Sequence, residues 1–171
     1  MESLHSLLPA HWPADLRNIL SPHAVLDSIA PAPVARNARR QGFDAIQRFS
    51  LSEWRGASPT HVRLLRALIF YAADALEECH QIFQEVESFV GSYGHGMMHR
   101  REGDFWNANY WFRHAGTPPA AVFDAGFQPV KLTTECQAFF QSPRASQQPV
   151  VEKLRAEWIC VTDALLAGHV A

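Results

Sequence analysis

His95, His99 and Glu102 follow one another at intervals of four and three residues. On a helix such spacing puts all three side chains on one face. Imidazole nitrogen and carboxylate oxygen suit zinc, manganese, iron or nickel, and a His–carboxylate pair can also move a proton. Glu77 and His80 lie one helical turn apart further upstream, and Gly91-Ser92 offers a turn between the two stretches. A chain that doubles back there brings three imidazoles and one or two carboxylates together. The candidate metal ligands are therefore His80, His95 and His99, and the candidate acid–base pair is His99 with Glu102. Residue 96 is Gly, so the catalytic Glu of the His-Glu-x-x-His metalloprotease signature is missing. The same residues could also satisfy one another in a purely structural network.

The stretch that follows is dense in aromatic and polar groups, running Asp104-Phe-Trp-Asn-Ala-Asn-Tyr-Trp-Phe-Arg-His-Ala-Gly116. On a helical wheel Phe105, Ala108, Phe112 and Ala115 share a face, Trp111 widens it, and Trp106 and Tyr110 lie opposite. A helix aromatic nearly all round is expected to be mostly buried, drawing Asn107, Asn109, Arg113 and His114 inward with it. Buried amides and guanidinium groups need partners or a ligand. Arg100, Asp104, Asn107, Tyr110 and Arg113 are accordingly the candidate ligand-binding residues, with Arg113 placed to hold an anionic group or Glu102.

The elements that would position these groups are helical. Ser58-Pro59 is a helix start, with Ser as N-cap and Pro in the first turn. Apolar residues then recur at helical spacing from Val62 to Val90, which predicts one long central helix over about 59–90. His95 to Glu102 reads as a short helix weakened by Gly94 and Gly96. Asp104 can cap a further helix that stops at Gly116. Leu132 to Phe140 can be helical, and Pro149 opens a long C-terminal helix over about 149–167. The first third is broken by prolines at 9, 13, 22, 31 and 33. It reads as a segment (1–57) that wraps a core made by 58–171, with short helices from Pro13 to Leu20 and from about Val34 to Gln47. There is no convincing strand pattern, so the expected architecture is an all-α, single-domain helical bundle.

Bulk properties narrow the function. A chain of 171 residues suits one domain, and 47% hydrophobic with 19% charged residues is ordinary globular composition. A net charge of −2 gives no field to draw nucleic acid or an anionic membrane. Arg66 and Asp74 interrupt the most apolar stretch, Leu64–Leu76, which is too short to span a bilayer. Three widely spaced cysteines, Cys79, Cys136 and Cys160, without Cys-x-x-Cys spacing read as thiols in a reducing compartment. A cytoplasmic location is the expectation. No Gly-rich phosphate loop or Gly-x-Ser-x-Gly elbow is present.

Glu-Glu-Cys-His at 77–80 with Tyr-Gly-His-Gly-Met-Met-His-Arg-Arg-Glu-Gly-Asp-Phe-Trp-Asn-Ala-Asn-Tyr-Trp-Phe-Arg from Tyr93 resembles a protein family with the signature His-x-x-x-His-Arg-Arg-Glu-x-Asp…Asn-Ala-x-Tyr-Trp-Phe-Arg. The likeness covers about Asp74 to Pro119. It implies where a site lies and assigns no activity. The family pattern would put Trp at Gly94, Pro at Gly103, Lys at Asn109 and a His-Pro pair at Pro118-Pro119.

The expected function is a small polar or anionic ligand held in a buried His/Glu/Arg/Asn pocket, through a divalent metal in one version. If the protein is an enzyme, metal-assisted hydrolysis or group transfer is the natural class. The alternative is a non-catalytic interaction module. In it the same residues form a structural hydrogen-bond network, and an exposed apolar face makes a homodimer.

Overall fold

A computed structural model describes residues 8–20, 26–31, 44–48, 57–123, 126–142 and 146–170. The described residues form helices and turns without strands, so the chain is an all-α, single-domain bundle. Helix α1 (Ala14–Leu20) follows Pro13 and buries Leu16 and Leu20. Residues 44–48 form a short helical stretch, α2, whose Ile46 is buried. The rest of the second helix expected over about 34–47 lies outside the described residues.

The single long helix expected over about 59–90 is a correction. Three helices occupy the region and its continuation: α3 (Pro59–Ala72), α4 (Leu76–Glu85) and α5 (Phe89–Glu102). The first start signal is used as expected, with the Ser58 hydroxyl accepting from the His61 N–H at 3.2 Å. The break after Ala72 is made by Asp74, whose φ is +56°. That left-handed conformation costs a residue with a Cβ about 1–2 kcal/mol, and Arg101 stabilises it by pairing with the Asp74 carboxylate. The second break is at extended Val86, after which Ser88 caps α5 by accepting from the Gly91 N–H at 3.1 Å. Apolar periodicity carries through both breaks, because the consecutive helices face one core.

Gly91-Ser92, expected to end a helix, lies in the first turns of α5. This helix is the centre of the molecule, with every residue from 90 to 101 buried. It packs chiefly against α4 and α6 and also meets α3. Its glycines explain how. A Cβ on Gly91 would sit 1.9 Å from the Val86 carbonyl oxygen, and one on Gly94 would sit 2.4 Å from the Phe83 ring. Each glycine weakens a helix by about 1 kcal/mol; here close approach on two sides outweighs that. Gly103, at φ +87°, ends α5 in a left-handed cap, with Asp104 N–H bonded to His99 O at 2.9 Å.

Asp104 then caps α6 (Phe105–Ala115), accepting from the Asn107 N–H at 3.2 Å, and Gly116 ends it. The expectation that α6 is buried nearly all round is overturned. Only Ala108 and Phe112 are buried, while Trp106 is 75% and Tyr110 46% exposed. α6 lies on the outside of α5 and uses one face. Its outer rings cover one another instead, Tyr110 lying parallel to Trp106 and to His114.

α7 (Pro129–Gln141) and α8 (Gln148–Leu166) complete the bundle, the latter close to the C-terminal helix expected from sequence. They share a small second core of Ile29, Leu132, Cys136, Val151 and Leu154. In the main core Trp158 of α8 donates to Leu68 O at 3.0 Å and meets Trp12 edge-on. His11 and Trp12 thus lie against α8. The three cysteines are free thiols. No helix among the described residues is long and apolar enough to cross a membrane.

Candidate metal centre

His80 comes from α4, His95 and His99 from successive turns of α5. The break at residues 86–88 turns α5 back against α4, doing what Gly91-Ser92 was expected to do. One nitrogen from each of the three imidazoles lies within 4.8 Å of the others. The His80 ring centroid is 4.7 Å from that of His95 and 5.4 Å from that of His99. His95 is stacked between His99 at 4.8 Å and Trp111 of α6 at 4.0 Å.

His95 is the most informative member. It is 3% exposed, yet neither Nδ1 nor Nε2 has a hydrogen-bond partner among the described residues. Leaving a buried polar group unsatisfied costs about 1–3 kcal/mol, and here both nitrogens of one ring are left so. Burial, then the neighbouring His99 and His80, push its pKa down to about 3, which keeps the ring neutral with lone-pair electrons to give. His99 is also lowered, first by burial, with Glu102 pulling the other way. The Asn107 amide Nδ2 is 3.1 Å from His99 Nε2. With the amide donating, the His99 proton is on Nδ1, where Glu102 Oε2 lies 3.3 Å away.

These shifts carry a pH dependence with a definite sign. In metal-free protein the unfolded chain takes up protons below about pH 6.5, whereas folded His95 refuses one until about pH 3. Stability is therefore present above pH 6.5 and lost as pH falls through that window, by at most about 1.4 kcal/mol per pH unit for this ring. Urea midpoints at pH 7 and 4.5 should differ less in His95→Asn than in the natural chain. Equal differences would show that His95 contributes nothing to the acid sensitivity.

The other expected site residues do not all converge. Asn107 does, through His99. Glu102 is half-exposed and faces the His99 ring edge. Its Oε2 is 3.3 Å from His99 Nδ1, a nitrogen that has no hydrogen-bond partner among the described residues. Asp104 is spent as the α6 N-cap, although its charge still reaches His99. Arg100 is turned away from the histidines into a buried bidentate pair with Glu157 of α8, beneath the Phe112 ring. Tyr93 donates to the same carboxylate at 2.7 Å. Tyr110 and Arg113 are exposed on the outer side of α6. Glu77 pairs with Gln81 on the surface.

Sequence reasoning missed Trp111 as the wall against His95, and Glu157 as the partner of Arg100. Trp111 stood four residues after Asn107, on the same face of α6. Glu157 carried no signal beyond lying on the apolar stripe of α8. A cavity of about 500 Å³ lies elsewhere, between His11–Pro13, Ala121 and the end of α8. Comparisons with protein-family models, curated proteins and solved structures find no match to this chain.

Proposed function

We propose that the protein binds one divalent transition-metal ion through His80, His95 and His99, and that a fourth position on the ion takes a small ligand. The buried, unpartnered His95 nitrogens within a trio of imidazoles carry this reading. Metal–nitrogen bonds of about 2.0–2.1 Å in a tetrahedral site put ligand nitrogens about 3.3 Å apart. The ligand nitrogens, now up to 4.8 Å apart, draw together to that spacing on binding the ion. Glu102 Oε2, 3.3 Å from the unpartnered His99 Nδ1, is near enough to turn onto it and complete the carboxylate–histidine–metal arrangement that fixes the tautomer and leaves Nε2 as the ligand atom. Three protein ligands with a fourth position free for solvent or substrate is the pattern of catalytic rather than closed structural sites. An ion there supplies Lewis acidity, for which hydrolysis or group transfer is the fitting reaction class.

The test is direct. Protein made without a His tag, stripped with chelator and titrated with Zn²⁺ or Co²⁺, should take up one equivalent. His95→Ala should abolish uptake while keeping the helical circular dichroism. At an ion concentration of a hundred times Kd, unfolding should be opposed by about 2.7 kcal/mol more than without the ion. Uptake that is substoichiometric, or equal in His95→Ala, would sink the proposal.

A second reading is a non-catalytic interaction module. It is favoured by a separate observation, the exposure of Trp106 and Tyr110 side by side on α6.

A further inference from the structure

We infer that the fourth position selects an uncharged ligand, such as the carbonyl oxygen of an ester or amide, over an anion such as a carboxylate or phosphate. The inference rests on the metal reading above and narrows it.

The charges set around the three histidines carry it. Neutral imidazoles leave a divalent ion with its two positive charges, which by themselves would attract anions. Two carboxylates stand beside the ion's position. Glu102, at the end of α5, is 3.3 Å from His99 Nδ1. Asp104, at the N-cap of α6, bonds the backbone of Asn107, whose side chain touches His99. These two carboxylates match the charge of the ion.

The two arginines of α5 beside the histidines are committed elsewhere. Arg100 is buried in its pair with Glu157 and Arg101 in its pair with Asp74. Both guanidinium groups leave α5 in directions other than the histidine face, and each is neutralised where it lies. Arg113 and His114 are exposed at the last turn of α6, where His114 meets Trp111. Among the described residues, an anion arriving at the metal would meet flanking negative charge, with Arg100 and Arg101 already paired away from it.

A neutral oxygen ligand fares better. The Asn107 amide now donates to His99 Nε2. Once that nitrogen gives its lone pair to an ion, the amide N–H has no acceptor there. It is then available to an oxygen coordinated beside it. A carbonyl oxygen accepts that bond without bringing a charge.

Cobalt-loaded protein tests this through its visible absorption, with imidazole as the neutral probe and azide and inorganic phosphate as the anions. Imidazole should shift the bands at concentrations at least about tenfold below those needed for azide or phosphate. Asp104→Asn keeps a good helix cap and removes one charge. It should tighten azide binding roughly threefold to tenfold, the scale of one unit charge acting across a partly screened gap, and leave imidazole unmoved. Glu102→Gln, which keeps an acceptor near His99 Nδ1, should likewise tighten azide binding. Azide or phosphate binding as tightly as imidazole in the natural chain, or azide affinity unmoved in both variants, would overturn this inference and leave the metal site standing. Failure to develop cobalt bands at all would overturn the metal reading and this inference with it.

Discussion

Glu157→Ala should remove about 3–5 kcal/mol of stability, the usual consequence of stripping one partner from a buried ion pair. Glu157 is 1% exposed and Arg100 likewise 1%, so the guanidinium left behind cannot reach water without opening the packing of α5 on α8. Its charge is held strongly. Burial alone would lower the Arg100 pKa, but the Glu157 carboxylate raises it above its ordinary value. The Tyr93 hydroxyl would lose its acceptor in the same substitution, adding the cost of a second unsatisfied group. Against a total stability of about 5–15 kcal/mol for a domain, this loss approaches unfolding at room temperature. Urea denaturation followed by circular dichroism measures it. Arg100→Met with Glu157→Leu should recover most of the loss, because an apolar pair of similar volume needs no desolvation repaid. A single Glu157→Ala variant as stable as the natural chain would mean that the pair is not formed.

Gly91→Ala should be nearly as damaging and should also disable the histidine site. The added methyl would stand 1.9 Å from the Val86 carbonyl oxygen, a backbone atom that cannot swing aside. The first turn of α5 would have to lift away from the end of α4. Overpacking of this kind costs about 1–3 kcal/mol and sometimes more. The same displacement separates His95 and His99, on α5, from His80, on α4. Zn²⁺ or Co²⁺ affinity should therefore fall by about tenfold or more even where the protein stays folded, since each 1.4 kcal/mol of lost ligand geometry is tenfold in affinity. Calorimetric titration beside a melting curve separates the two effects. Unchanged affinity together with unchanged stability would show that the α4–α5 junction is looser than described.

Much of this arrangement was legible in the residues, for reasons that can be located. Ser58-Pro59, Asp104 and Gly116 act locally, and all three do in the structure what their chemistry demands. The convergence of His80, His95 and His99 was readable from spacing on two helices, although the turn joining them falls at 86–88 and not at Gly91-Ser92. The breaks in the expected long helix were hidden. Asp74 takes a left-handed conformation through a bond to Arg101, far away in sequence, and no local pattern announces it. The burial of α5 was hidden for a related reason. Between Val90 and Arg101 it is rich in glycine, histidine, methionine and arginine rather than carrying an apolar stripe, and only the neighbours' positions show that none of these faces water. α6 erred in the opposite direction. Its tryptophans and tyrosine promised burial by residue type, but a helix lying on the outside has one inner face, which Ala108 and Phe112 fill.

A helix with no outward side has consequences for how this sequence can vary. From Val90 to Arg101 no position can change without touching a neighbour. Substitutional freedom is therefore displaced to the outer faces of the surrounding helices. The ligands on α5 sit where drift is least tolerated on packing grounds alone. Invariance of His95 or His99 among related chains would thus not by itself distinguish a group kept for chemistry from one kept because nothing else fits the space.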